Sequence, residues 1–163
     1  MTLLDPVETL RRVAFFAVLP ADELSVLACH CVARRLGKDE MLVAEGDPCD
    51  GLFVVQSGAI KVFKMAENGR EQVLVIERAG STVGELAIFD GGNFPASAAA
   101  VEDSTLLFLP KKEFLDLSAA IRKWPLPLSA LWRGGSGTLR TLSKNYRSKK
   151  SATAWRGSCV AAL

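Results

Sequence analysis

No stretch of this 163-residue chain is long and apolar enough to cross a bilayer, and no basic region leads into an apolar run at its N-terminus. A membrane span and secretion are therefore not expected. Cysteine is scarce, with four residues in no disulfide-style array, which points to a reducing cytoplasm. With 7 Pro, 13 Gly and 49% hydrophobic residues, the composition excludes collagen, a coiled coil and full disorder. A nucleophile elbow, a P-loop and a dinucleotide fingerprint are all missing, so no enzyme is expected. The length suits one ordinary domain that buries its own core, with a short extra segment.

One further absence divides the chain. All 18 acidic residues lie between Asp5 and Asp116, and from Leu117 to Leu163 there is none, although nine Lys or Arg remain there. The net charge of +2 thus hides an acidic body and a basic tail. Two readings of the tail stay open on charge alone. It is a solvated, irregular terminus, or it binds nucleic acid by neutralising phosphates.

The body is patterned as helix, then strands, then helix. A short helix is expected from Pro6 to Val13, with Phe15 and Phe16 as apolar anchors. A second begins at Pro20 and places Leu24, Leu27 and Ala28 on one face. From Ala33 the period shortens to two, and strands are expected at 41–44, 51–56, 59–64, 72–76 and 104–109. Glu45-Gly-Asp-Pro, Gln56-Ser-Gly, Glu67-Asn-Gly and Asp90-Gly-Gly punctuate them, and Asn68-Gly69 predicts a hairpin. Strands at this spacing predict an all-β sandwich or barrel. A last amphipathic helix from Lys111 carries Phe114, Leu117 and Ile121 on one stripe.

Two segments carry a family resemblance. Glu45-Gly-Asp-Pro-Cys-Asp-Gly-Leu-Phe-Val-Val-Gln-Ser-Gly-Ala-Ile-Lys-Val is similar to the opening motif of cyclic-nucleotide-binding domains, and Gly80-Ser-Thr-Val-Gly-Glu-Leu-Ala-Ile-Phe-Asp-Gly-Gly resembles their phosphate-binding cassette. With Phe108-Leu-Pro-Lys-Lys-Glu-Phe-Leu, they resemble the effector domain of Crp/Fnr-type bacterial transcription regulators over roughly residues 8 to 122. The resemblance implies a mainly β fold, a cyclic-nucleotide-binding-type double-stranded β-helix (jelly roll) flanked by short helices. It also implies a cytoplasmic homodimer that takes a small-molecule effector and couples it to DNA.

A cyclic nucleotide presents an anionic phosphate and a ribose hydroxyl. Backbone N–H groups at a glycine turn suit the first, and a carboxylate suits the second. The resemblance assigns Gly84 to the turn, Glu85 to the carboxylate, and the backbone of Leu86 and Ala87 to the rest of the cradle. Val62 and Leu74 align with pocket walls, a role that plain barrel-core duty explains equally well. The family places an Arg against the phosphate, followed by a small hydroxyl residue. Here those positions hold Phe94 and Pro95. Losing such a charge-assisted pair costs on the order of 2–3 kcal/mol, tens to hundreds-fold in affinity. Weak or absent cyclic AMP binding is therefore expected, and the effector's identity stays open. Glu85 is a ligand group or a structural carboxylate that holds its turn.

Cys29-His30-Cys31 has the look of metal ligands, but Cys49 and Cys159 lie far off in sequence, and ordinary core cysteines explain it better. Beyond Lys111 the family continues into a dimerisation helix and a helix-turn-helix domain. In this chain Pro125, Pro127, Gly134, Gly135 and Gly137 break that helix, and too few residues follow for a DNA reader. The organisation expected is an effector domain over 1–122 and an irregular basic tail over 123–163. DNA recognition by this chain is not expected to be sequence-specific. The tail also reads as out of frame after about Lys123. In the frame that joins each codon's third base to the next two, Asn145-Tyr146 must give Leu and Trp124-Pro125 must give Ala. Synonymous codons there allow acid-containing helical strings like the family's dimerisation helix. A genuine divergent tail is the alternative. A stand-alone regulatory module acting on a protein partner is the alternative to the regulator as a whole.

Overall fold

A computed structural model of the chain describes residues 5–14, 16–90 and 92–120. Phe15, Ile121, the tail from 123 onward and the side chain of Leu117, all named above, lie outside the described part. Among the described residues the order is α1 (Pro6–Arg11), α2 (Ala21–His30), β1 (Val32–Leu36), β2 (Met41–Val43), β3 (Gly51–Ser57), β4 (Ala59–Met65), β5 (Glu71–Arg78), β6 (Thr82–Val83), α3 (Glu85–Asp90), β7 (Ser97–Ala100), β8 (Ser104–Pro110) and α4 (Lys111–Ala120).

The strands form two four-stranded antiparallel sheets, ordered β1-β8-β3-β6 and β2-β7-β4-β5. Neighbours in each sheet are mostly distant in sequence, as a jelly roll requires. The fold is the double-stranded β-helix with flanking short helices that the sequence predicts. Five strands fall where alternation places them. β1, β6 and β7 do not follow from alternation: β1 is exposed at four of its five positions, β6 has two residues, and β7 is buried at all four. A strand covered on both faces shows no alternation.

Local chemistry sets the element ends. Pro6 occupies the first turn of α1, where its missing N–H is not needed, and Asp5 Oδ1 accepts the Val7 N–H at 3.1 Å. In the β4–β5 connection, Gly69 (φ +77) donates its N–H to Ala66 O, and the Ala66 N–H reaches Arg70 O. Gly69 alone has positive φ there, so the Asn68-Gly69 hairpin closes through a turn followed by a left-handed glycine. Asn68 Oδ1 accepts the Arg70 N–H at 3.1 Å.

The helices cover one face of the first sheet, with α1 and α4 against β3, and α2 and α4 against β8. Leu24 and Leu27 of α2 are buried, as their spacing predicts, and Ala28 packs against the same core. Phe16 and Phe114 meet edge to face with centroids 6.1 Å apart, joining the α1–α2 connection to α4. On β3 and β8 lie Phe53, buried, and Phe108, half-buried. These two residues pair directly across the ladder, with ring centroids 5.0 Å apart.

Candidate functional site

The cassette is built from the β6–α3 junction. β6 ends at Val83, and Gly84 then adopts φ +106, a conformation that L side chains rarely take. That turn starts α3, whose first residues are Glu85, Leu86 and Ala87. The Ile88 N–H closes back on Gly84 O at 3.1 Å. Space is as restrictive as conformation. A Cβ on Gly84 would lie 3.0 Å from Phe94 Cε1 and 3.1 Å from Gly51 O. The buried Cys49 thiol donates to Gly51 O at 3.4 Å, so the β2–β3 loop is tied to the strand that passes under the turn.

Phe94 is held by backbone as well as packing. Its N–H donates to Asp47 O and its carbonyl accepts the Gly46 N–H, both at 2.9 Å, and the neighbouring Pro48 and Asn93 form an isolated bridge. The ring is buried and rests on the Gly84 backbone. Pro95 follows, half-buried. The structure thus brings Gly84 and Phe94 into contact, with Glu85, Leu86 and Ala87 continuing from the turn.

Glu85 is the most perturbed acid of this region. Its Oε2 atom is fully covered and has no hydrogen-bond partner among the described residues. Burial pushes the carboxyl up to about 7, against the smaller opposing effects of its own backbone N–H and the Thr82 hydroxyl. Glu77 on β5 is raised too, by burial, while the Ser81 hydroxyl offsets part of the shift. Glu85 therefore holds a covered, partly protonated carboxyl at the start of α3 near neutral pH.

Val62 and Leu74 lie on the β4–β5 hairpin. Val62 pairs with Val75 and Phe63 with Val73, so Leu74 is the extra residue of a β-bulge beside Val62. Both are half-buried, and Val62 packs on the core.

A pocket of about 260 Å³ opens elsewhere, among Arg34, Asp47, Asp50, Phe53, Phe94 and Phe108. Of the candidate ligand residues named from the sequence, only Phe94 reaches it. The convergence of the others escapes a reading of sequence because β1, the β2–β3 loop, β3 and β8 meet only in three dimensions. Cys29 and Cys31 are free, exposed and half-buried respectively, and burial, with a smaller effect from Cys29, pushes Cys31 up to about 11. His30 Nε2 lies 3.8 Å from Glu113 Oε2. No group of three His, Cys, Asp or Glu able to hold a metal ion occurs among the described residues.

With this geometry in place, residues 33–120 match the model of the cyclic nucleotide-binding domain. The chain belongs to that family. Among its curated relatives are the Cyclic AMP receptor protein of Thermus thermophilus, 32% identical over 68% of this chain, and the Transcriptional activator protein anr of Pseudomonas aeruginosa, 31% identical over 74% of it. The family thus includes transcription regulators of the Crp/Fnr type as its near relatives. This chain spans about half the length of each of these two relatives, 50% in both cases. Among solved structures, the sensor domain of the transcriptional regulator DNR from Pseudomonas aeruginosa has a TM-score of 0.69 at 23% identity, covering 90% of this chain and 94% of that one. No described helix of this cyclic nucleotide-binding domain is long and apolar enough to cross a membrane.

Proposed function

We propose that residues 1–122 are the effector-sensing domain of a Crp/Fnr-type regulator whose effector is not a cyclic nucleotide. The observation that carries this reading is the Phe94 ring on Gly84. A phosphate bound at the turn needs a positive partner to repay its desolvation, and Phe94 supplies apolar bulk instead. A cyclic nucleotide therefore does not fit the residues present.

In this reading the domain works as a cytoplasmic homodimer, and effector binding biases the geometry of DNA-reading elements that lie outside residues 1–122. The basic segment 123–163 is an out-of-frame remnant of the dimerisation helix. Sequencing the gene from the codon of Asp116 onward tests that part. A single-base insertion or deletion near codon 124, followed by an open helix-turn-helix frame, is expected. An intact frame through codon 163 would overturn it.

The effector reading is tested by titrating the chain with cyclic AMP and with adenosine, which lacks the phosphate, at matched concentrations. Cyclic AMP is expected to bind no more tightly than adenosine. Clear preference for the phosphate-bearing ligand would refute the assignment.

A further inference from the structure

We propose that Asn68, at the tip of the β4–β5 hairpin, is a self-modification site, converting to aspartate and isoaspartate by cyclising onto the Gly69 nitrogen. The inference stands apart from the cassette and from whatever effector the domain takes.

The reaction closes a small ring of Asn68 Cγ, Cβ, Cα and carbonyl carbon with the Gly69 nitrogen. Electrophile and nucleophile are neighbours in any asparagine-containing pair, so access and orientation decide which pair reacts. Access is open here. The residue after Asn68 is glycine, and even a Cβ built on it would meet nothing within 4 Å. Residues 65–70 are all exposed, so water reaches both groups.

Orientation favours the same step. Asn68 Oδ1 accepts the Arg70 N–H at 3.1 Å. That bond closes a loop of atoms running through Asn68 Cγ and the Gly69 nitrogen, so the side chain already folds over the peptide it must attack. The donated N–H also polarises the carbonyl and steadies its oxygen as negative charge develops. One contact opposes the reaction, because the Gly69 N–H donates to Ala66 O at 2.9 Å. The nitrogen is free only when this bond opens. A single exposed hydrogen bond at a hairpin tip slows the step by about tenfold at most.

Asn93, the other described asparagine, gives the contrast. It is exposed too, but Phe94 follows it with a buried ring and an N–H that donates to Asp47 O at 2.9 Å. Exposure is shared, and the freedom of the next nitrogen is not.

The step consumes only water. The Gly69 nitrogen bonds to Asn68 Cγ, the carboxamide C–N bond breaks, and ammonia leaves with the proton from Gly69. Water then opens the cyclic imide. Breaking the new Cγ–N bond gives aspartate, whereas breaking the bond between nitrogen and the main-chain carbonyl carbon gives isoaspartate. Either product adds a carboxylate between Glu67 and Glu71. Isoaspartate also routes the main chain through Cβ, lengthening the connection between the strands that carry Val62 and Leu74.

The test incubates the full chain at mildly alkaline pH beside the free peptide of residues 65–72, with peptide mapping by mass spectrometry and an isoaspartate assay. Asn68 is expected to convert at no less than about a tenth of the peptide's rate, to a mixture that contains isoaspartate. Asn93 is expected to stay intact. Gly69→Ala places a methyl beside the attacking nitrogen and is expected to slow conversion at least about tenfold. The position is exposed, and retained folding is checked by circular dichroism. Asn68 still intact after about ten half-times of the peptide would overturn the proposal. So would aspartate formed without isoaspartate, conversion of Asn93 at the same pace, or a rate unmoved by Gly69→Ala.

Discussion

The Phe94 ring stands 3.0 Å from where a Cβ on Gly84 would lie, and the two residues, ten apart in sequence, together shape the cassette. Gly84 has to be glycine for its φ of +106 and for this contact. Phe94 takes the room beside the turn. In the reading proposed above, this pair is where the backbone geometry of the family and the loss of its phosphate chemistry meet.

Gly84→Ala is expected to destabilise the domain by about 2–4 kcal/mol, combining backbone strain with displacement of Phe94 or Gly51. Gly69→Ala gives the comparison, because Gly69 also has positive φ but a Cβ there would meet nothing within 4 Å. It is expected to cost about 1 kcal/mol. Urea midpoints of the two variants measure the difference, which is the share owed to the close approach.

Glu85 predicts a stability that falls as pH rises. Its folded-state carboxyl titrates near about 7, above the ordinary 4.5, so the folded protein holds this proton more tightly than the unfolded chain. Stability is unaffected by Glu85 below about pH 4.5, declines from there to about 7, and above 7 carries the full cost of a buried carboxylate. That cost is on the order of 3 kcal/mol. Glu77 is shifted in the same direction, so the wild-type slope includes both acids. Chemical denaturation at pH 5 and pH 8 is expected to show a clearly smaller loss for Glu85→Gln than for the wild type. An identical loss in the two proteins would remove Glu85 as its source.

Much of the fold was legible in the sequence because the informative strands either alternate or form short apolar runs bounded by turn residues. β2, β3, β4, β5 and β8 alternate or run apolar between turn residues, and α2 presents Leu24 and Leu27 at helical spacing. β7 was not legible. Ser97-Ala-Ala-Ala is short, small and buried throughout, so only its pairing with β4 and β2 makes it a strand. β1 hid for the opposite reason, since Arg34 and Arg35 read as a polar connection until β8 pairs with them. In the candidate site, the motif points to Gly84 and Glu85, and the alignment points to Phe94. That Phe94 packs on Gly84, and that Arg34, Asp50, Phe53 and Phe108 surround its other side, are tertiary facts without a local signal.

Ser104 predicts the cost of a buried hydroxyl. Its Oγ accepts the Ala59 N–H at 3.1 Å and donates to Glu102 O at 2.7 Å, fixing the turn before β8 to the start of β4. Ser104→Ala leaves that buried N–H without its partner and is expected to cost about 1–3 kcal/mol. Thermal unfolding of the variant, with hydrogen exchange at the Ala59 amide, reads both consequences.

The central claim is that Phe94 and Pro95 have replaced the phosphate-binding pair of the cassette. The most direct measurement is a cyclic AMP titration of the wild type beside the double variant Phe94→Arg, Pro95→Ser, each checked for folding by circular dichroism. The variant restores a cation and a hydroxyl next to Gly84 and Glu85, at some cost in stability without ligand, because an arginine replaces a buried ring. The wild type is expected to bind cyclic AMP at least about 30-fold more weakly than the variant, the value of a charge-assisted contact. Tight wild-type binding that the two substitutions leave unchanged would contradict the account.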